Sequence, residues 1–114
     1  MQAVPYDQGL ADRLRELLSG EPGLAEKKMF GGLAFLIGGN MAIAASGQGG
    51  LMVRVDPAQS DTLTSTTPAR IIEMRGRPMR GWLYLELADV GSASELAAWV
   101  SRGASFARSL PAKP

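Results

Sequence analysis

The chain contains neither cysteine nor histidine among its 114 residues. Without cysteine there is no disulfide, no thiolate nucleophile and no thiolate ligand for a metal ion. Without histidine, the commonest general base and the commonest zinc ligand are both missing. Catalysis would have to use carboxylates, lysine, tyrosine or serine, and the carboxylates show no spacing typical of an acid/base pair or a metal site. The sequence therefore predicts a protein that is not an enzyme and that binds no metal or cofactor.

Long apolar runs and a strong charge of one sign are also missing. No apolar segment approaches the roughly 18 residues that a membrane span needs. The first residues, MQAVPYDQGLADR, lack the basic start and apolar run of a signal peptide, so we expect a cytoplasmic protein. The net charge is +1, so no global field attracts the chain to nucleic acid. Hydrophobic residues make up 46% and charged residues 20%, a balance typical of one folded domain, which we expect to span residues 1–114.

Three segments carry helix signals and five carry strand signals. Asp7 can cap a first helix, Asp56 and Pro57 can open a short second helix, and Ser92 with Glu95 has the spacing of a capping box before a third. The five apolar runs that suit strands are 33–37, 41–45, 51–55, 71–74 and 82–87. Close glycine turns join the first three strands, which should therefore pair antiparallel. The predicted fold is an α+β two-layer sandwich of order α-β-β-β-α-β-β-α, with a five-stranded antiparallel sheet and the helices on one face.

The glycines raise the question of a phosphate-binding loop. A dinucleotide loop needs G-x-G-x-x-G between a strand and a helix, but Gly47 and Gly49 are followed by Met52 at the third position and by a strand. No lysine follows a glycine, so the P-loop pattern fails as well. The glycines are interpreted as turns, with Gly31-Gly32 as a bulge that bends one long strand over 28–37.

The densest basic stretch is ARIIEMRGRPMRGW. Arg75, Arg77 and Arg80 are predicted to lie in a loop beside Trp82, where arginines could hold phosphates while the indole stacks on a base. A small nucleic-acid-binding module is therefore one candidate function. In the alternative, the arginines pair with carboxylates in a solvated loop; the candidates are Glu73, Glu86 and Asp89. The sequence pI of about 8.1 is lower than is usual for a nucleic-acid-binding domain.

The last predicted strand alternates between two faces. Its leucines at 83, 85 and 87 are expected to face the helices, which leaves Trp82 and Tyr84 on the opposite, open face of the sheet. Residues 41–45 are apolar on both faces, so the open face is expected to be shielded too. A second copy of the chain is the simplest way to cover this face, which predicts a homodimer through the open face or its edge. The alternative is a monomer whose open face carries enough polar atoms to remain soluble.

KKMFGG, followed by an apolar strand, a Gly-Gly-Asn turn and Met41, resembles the start of the TfoX/Sxy N-terminal-domain family. The residues that match its distinctive motif are Lys28, Met29, Phe30, Gly31 and Gly32. The resemblance extends over about residues 7–110 and implies a stand-alone N-terminal domain with a fold also used by secretion chaperones. Full-length members regulate natural competence for DNA uptake and carry a second, helical domain. The resemblance implies no catalytic residues, and it favours a cytoplasmic regulatory domain that acts through a protein partner.

Overall fold

The computed structural model describes residues 5–113, so the ends of the predicted domain, residues 1–4 and 114, lie outside the described residues. The helices are α1 (Gln8–Leu17), α2 (Ser60–Thr66) and α3 (Ala93–Ser109). The strands are β1 (Leu24–Met29), β2 (Gly32–Ile37), β3 (Asn40–Ala45), β4 (Leu51–Arg54), β5 (Arg70–Met74) and β6 (Arg77–Leu85). Short 3₁₀ turns occupy Pro57–Gln59 and Leu87–Val90.

The six strands form one sheet in the order β1-β2-β3-β4-β6-β5, and every neighbouring pair is antiparallel. The predicted α+β class and antiparallel pairing are confirmed. The predicted number of five strands is wrong, because β1 adds a strand before the first apolar run. The order of helices and strands is therefore α-β-β-β-β-α-β-β-α.

The missed strand follows from the glycine pair that was interpreted as a bulge. Met29 pairs with Gly32, and the two residues between them, Phe30 and Gly31, both have positive φ (52° and 76°). Two successive positive φ angles are the mark of the tight hairpin turn that reverses a chain between antiparallel strands. Because β1 is an exposed edge strand with the sequence LAEKKM, it lacks the apolar run by which the other strands were recognised.

One face of the sheet carries the main hydrophobic core. Its largest fully buried side chains include Phe35, Ile43, Leu51, Leu83 and Leu85. Apolar residues from all three helices belong to the same cluster; they include Leu10 and Leu14 of α1, Leu63 of α2, and Leu96, Trp99 and Val100 of α3. The helices therefore cover a single face of the sheet, as predicted, and leave the other without a helical layer.

Two of the three predicted helix starts are confirmed, and at the third Asp56 caps a 3₁₀ turn that precedes α2, which begins at Ser60. The Asp7 carboxylate accepts a hydrogen bond from the Leu10 amide at 2.8 Å, and Ser92 accepts one from the Glu95 amide at 3.1 Å. Asp56 accepts from the Ala58 amide at 2.9 Å, where the 3₁₀ turn leads into α2. Side-chain acceptors at these positions satisfy amides that have no partner within the helix.

Helix α3 approaches the sheet closely at one point. A Cβ atom on Gly103 would lie 2.4 Å from the carbonyl oxygen of Ala42. The β2–β3 pairing shifts by one residue at this place, because Phe35 pairs with Ile43 while Leu36 pairs with Met41, and Ala42 is the extra residue of the bulge. Glycine at 103 therefore allows the helix backbone to rest on the bulged strand.

Strand β6 ends earlier than predicted. Leu83 and Leu85 face the helices, but Leu87 lies in the following 3₁₀ turn and is 38% exposed. The alternation does place Trp82 and Tyr84 on the opposite face, where they pair with Arg54 and Met52 of β4. The predicted orientation of the two aromatic residues is confirmed.

Candidate functional site

A groove of about 470 Å³ lies on the sheet face that no helix covers. Its floor consists of small and apolar side chains from the middle strands; Ala34 pairs with Ala44 across β2 and β3, and Met41 lies beside them. Two alanines facing each other leave a depression between the larger residues of the neighbouring strands. Residues of the β1–β2 hairpin line one side of the groove, and residues of the β5–β6 hairpin line the other.

Methionine is the characteristic residue of this groove. The chain has six methionines, and the five that lie within residues 5–113 all line it. They are Met29, Met41, Met52, Met74 and Met79. The thioether side chain is unbranched and polarizable, so a surface built from it can adapt to partners of different shape. We call this surface the methionine groove.

Phe30 stands at one end of the methionine groove in an unusual conformation. It is 89% exposed, and its backbone has a φ of 52°, the left-handed region that favours glycine or asparagine. The turn therefore carries backbone strain, although the side chain contributes almost nothing to the protein's own core. A strained, exposed aromatic residue beside an apolar groove is typical of a binding surface.

The glycines around Phe30 hold this end of the groove in place. A Cβ atom on Gly32 would lie 2.5 Å from the Ala45 carbonyl oxygen, and one on Gly47 would lie 2.7 Å from the Phe30 carbonyl oxygen. The β1–β2 turn therefore packs directly against the backbone that follows β3. Gly32 and Gly47 therefore allow this close backbone contact, while the side chain of Phe30 is left at the surface.

Arg54 forms the other end of the groove. Its guanidinium lies 4.9 Å from the centre of the Trp82 ring and 5.5 Å from that of Phe106, so two aromatic faces hold it. The side chain is half-buried, and within residues 5–113 it forms no hydrogen bond or ion pair. Stacking of this kind fixes the planar group and leaves its N–H edge available to an acceptor.

The charge of the groove has one sign. Three charged side chains line it, Lys27, Arg54 and Lys113, and no lining residue is acidic. The lysines come from the edge strand β1 and from the segment after α3, where the Lys113 amide donates to the Gly38 carbonyl at 2.8 Å. The arrangement therefore offers apolar contact along its length and attraction for an anionic group.

The predicted arginine site has a different geometry from the expected loop. Arg75 and Gly76 form the tight turn of the β5–β6 hairpin, with φ angles of 55° and 75°, while Arg77 and Arg80 belong to strand β6. Arg80 donates to both carboxylate oxygens of Asp61 at 3.0 and 3.2 Å. Residues of a continuous strand and hairpin were mistaken for a loop because Gly76, Pro78 and Gly81 are frequent in loops.

Trp82, the fourth predicted member, lies in the methionine groove and stacks with Arg54. The structure therefore separates the predicted group into a hairpin turn, a paired arginine and a groove aromatic. Of the predicted acidic partners, Glu86 does bind an arginine, but it is Arg70 at 3.1 Å.

Five of the eleven carboxylates form ion pairs with arginines, and these are Asp12, Glu21, Glu26, Asp61 and Glu86. Arg15 of α1 binds Glu26 of β1 at 2.6 Å and lowers the pKa of that carboxyl. Arg80 likewise lowers the pKa of Asp61 through its hydrogen bonds. Within residues 5–113 no three acidic side chains come close enough together to hold a metal ion.

Sequence reasoning missed the methionine groove and its Arg54 end. The signal was present in part, since five methionines in the strand regions are many for a chain of this length and Arg54 falls on the same strand face as Met52. Phe106 was also missed as a neighbour of Arg54; it is half-buried on α3, with its ring centre 5.5 Å from the guanidinium.

Comparison with known proteins gives one match. The family model described as the TfoX N-terminal domain matches residues 16–107, which cover most of the chain. No curated protein sequence and no solved structure matches. The expected likeness to secretion chaperones therefore stays a prediction. None of the helices within residues 5–113 combines the length and the apolar character needed to cross a membrane.

Proposed function

Because the chain belongs to the TfoX N-terminal domain family, we propose that it is a non-enzymatic interaction domain whose methionine groove receives an apolar segment of a partner protein. A regulatory role in the cytoplasm is part of this proposal. It rests on the resemblance to the competence regulators, which carry the same kind of domain.

The observation that carries the proposal is the exposure of Phe30. Four large apolar side chains are more than a third exposed in the part of the chain described here, and two of them, Phe30 and Met74, line the methionine groove. Phe30 additionally occupies a conformation that asparagine or glycine would adopt with less strain. Folding alone gives no reason for a phenylalanine at this position, whereas a docking surface does.

The test compares two variants that each remove one exposed apolar side chain. Phe30→Asn alters the groove, and Leu17→Asn removes a 45% exposed leucine from α1, outside the groove. Tagged wild type and both variants are used to recover partners from the host after nuclease treatment. We expect the same protein to be recovered with the wild type and Leu17→Asn, and to be lost with Phe30→Asn.

Equal recovery of that protein with Phe30→Asn would contradict the proposal, because binding would then not involve the groove. Loss of all recovered proteins on nuclease treatment would instead favour the nucleic-acid alternative.

The alternative function is a small nucleic-acid-binding module at the β5–β6 hairpin. It is favoured by Arg75 and Arg77, which are exposed and form no ion pair among residues 5–113, whereas Arg80 is already engaged by Asp61. If these residues bind phosphates, alanine at all three should weaken binding to nucleic acid and reduce its dependence on salt. A wild type with no salt-sensitive binding at low ionic strength would exclude this function.

The homodimer stays a prediction, with the open face or its edge as the interface. The edge strands β1 and β5 present backbone groups that a second copy could pair with. Light scattering at micromolar concentration tests it, and a mass near 12.0 kDa at every concentration would reject it.

A further inference from the structure

We infer that the partner segment that enters the methionine groove is acidic, and that one of its carboxylates binds the guanidinium of Arg54. This inference rests on the proposed function, since it specifies the chemistry of the segment that the groove receives. Apolar side chains of the segment contact the methionines and Phe30, and the carboxylate accepts hydrogen bonds from Arg54 at the opposite end.

Arg54 differs from the other eight arginines in combining a fixed position with a lack of acceptors among residues 5–113; Arg75 and Arg77 are exposed, and Arg102 stacks on a single ring, Trp99, outside the groove. Four arginines bind carboxylates of the protein itself, and these are Arg15, Arg70, Arg80 and Arg108. Arg13 donates instead to backbone carbonyls at the start of α3. Arg54 is half-buried, is held between the rings of Trp82 and Phe106, and has no such acceptor among residues 5–113. A fixed and partly desolvated guanidinium favours a bidentate carboxylate over water.

The lining of the groove around Arg54 is positively charged. Lys27 and Lys113 add two positive charges to the groove lining, and no acidic residue offsets them. A second copy docked in the groove would bring the same three cations to a symmetric interface, so the charge of the lining disfavours a second copy here and leaves the sheet edge as the interface for the predicted homodimer. An acidic segment has the complementary charge. The apolar floor distinguishes this site from one for nucleic acid, whose backbone offers no apolar side chains.

The distance between Phe30 and Arg54 determines the length of the segment that can contact both. Phe30 packs against the backbone that follows Ala45, and Arg54 ends β4 beside the part of β3 near Met41. Along the strands, four residues of β3 at about 3.3 Å each separate these ends by about 13 Å, and the two strand spacings between β2 and β4, of about 4.8 Å each, separate them by about 10 Å across the sheet, which gives a diagonal of about 16 Å. That distance corresponds to about eleven residues of an α-helix at about 1.5 Å per residue, or to about five residues of an extended strand. The apolar anchor and the carboxylate should therefore lie at opposite ends of a short segment.

The experiment selects binders from a display library of random twelve-residue peptides, with the intact wild-type chain as the target. We expect the enriched peptides to combine large apolar residues with aspartate or glutamate. A synthetic peptide of the strongest sequence is then measured with its acidic residue present or replaced by the corresponding amide. The target is the wild type, Arg54→Gln, or the matched control Arg102→Gln, which removes an arginine stacked on Trp99 at 4.5 Å, outside the groove.

Arg54→Gln should lower the affinity for the acidic peptide about tenfold and leave the affinity for the amide peptide almost unchanged, because the charge pair forms only between Arg54 and the acidic peptide. Arg102→Gln should change neither affinity. Arg54→Lys keeps the charge but loses the planar fork, and it should retain part of the preference for the acidic peptide. Thermal unfolding of each variant shows whether it is folded.

The outcomes separate the two proposals. Peptides that depend on Phe30 but show no enrichment in acidic residues would overturn this inference and leave the proposed function intact. Acidic peptides whose affinity responds equally to Arg54→Gln and Arg102→Gln would also overturn it. Peptides that bind Phe30→Asn as tightly as the wild type, or a library with no enriched sequence, would contradict the groove as a docking surface and so both proposals.

Discussion

The two faces of the sheet are both apolar, yet they are built from different residues. Phe35 and Leu36 are neighbours on β2 and point to opposite faces; Phe35 is 0% exposed under the helices, and Leu36 is half-buried in the methionine groove. Both faces contain alanine and leucine, but the helix-face cluster fills its space with phenylalanine, isoleucine and valine and contains no methionine, whereas the groove is lined by five methionines.

Under the proposed function, this difference lets one set of strands serve both folding and binding. Branched and aromatic side chains with few rotamers pack closely and specify one structure. Methionine is more adaptable and specifies less, which suits a surface that must accept a partner. On the helix side, ion pairs such as Arg15–Glu26 connect a helix to the sheet, while the groove contains cations without acidic neighbours among its lining residues.

The largest expected effect compares the two neighbours directly. Phe35→Ala should lower the free energy of unfolding by about 3–5 kcal/mol, because it leaves a cavity in the packed core. Leu36→Ala should lower it by only about 1 kcal/mol, because that side chain is already partly in contact with water. Chemical denaturation of both variants measures the difference. Equal losses would mean that the groove face is as important for stability as the helix face.

A second variant examines the closest contact of the helix face. In an isolated helix Gly103→Ala would be stabilising by about 1 kcal/mol. Here the new Cβ would meet the Ala42 carbonyl oxygen at 2.4 Å, so α3 must move away from the sheet. We expect a net loss of about 1–2 kcal/mol in the free energy of unfolding. Gly91→Ala serves as the control, since an added Cβ there meets nothing closer than 3.8 Å. A gain in stability at 103 would contradict the close approach.

The groove face should respond in the opposite direction. Phe30→Asn replaces an exposed side chain at a φ of 52° by a residue that tolerates this conformation, so the free energy of unfolding should stay the same or rise by up to about 1 kcal/mol. Arg75→Asn, at a φ of 55° in the other hairpin turn, is the matched comparison. Thermal unfolding measures both. A marked loss of stability in Phe30→Asn would show that Phe30 supports the fold and would weaken its assignment to binding.

The smallest effect concerns pH. The hydrogen bonds from Arg15 lower the pKa of Glu26 below its ordinary value of 4.5, and those from Arg80 lower the pKa of Asp61 below 3.8. A carboxyl whose pKa is lower in the folded state stabilises the protein fully above its ordinary pKa, and this stabilisation is lost as the pH falls through the folded value. The melting temperature should therefore decrease slightly below about pH 4.5.

Glu26→Gln should reduce that decrease, whereas Glu73→Gln, which removes a carboxylate with no ion pair among residues 5–113, serves as the control. If Glu26→Gln leaves the decrease in melting temperature unchanged, other carboxyl groups cause that decrease. The groove lining contains no carboxylate, so its own charge should remain the same over this range.

The sequence predicted the parts of the fold that depend on local signals. The caps at Asp7, Asp56 and Ser92 were recognised because a side-chain acceptor must stand at a helix start whatever the rest of the fold. Strand β1 was missed because an edge strand with one solvent-exposed polar run has no apolar pattern. The hairpin at Phe30 was missed because its turn begins with a phenylalanine, which sequence rules do not associate with positive φ.

The candidate site was predicted least well. Trp82 was correctly placed on the open face of the sheet. Of its expected arginine neighbours, Arg75 lies in the hairpin turn and Arg80 pairs with Asp61. Its actual neighbour, Arg54, is distant in sequence. Contacts between β4, β6 and α3 bring Arg54, Trp82 and Phe106 together, and no local pattern encodes the register of such pairings.

The sequence alone determined the family, the α+β class, the antiparallel hairpins and the absence of cysteine and histidine chemistry. These follow from residue types and from spacings of a few positions, where local conformation is decided. Only the tertiary structure decided that five methionines share one groove, that Phe30 remains exposed beside it and that Arg54 lies there without an acidic partner among residues 5–113. The physical reason is that strand order, register and helix placement determine which distant side chains share a face, and these depend on how the whole chain packs.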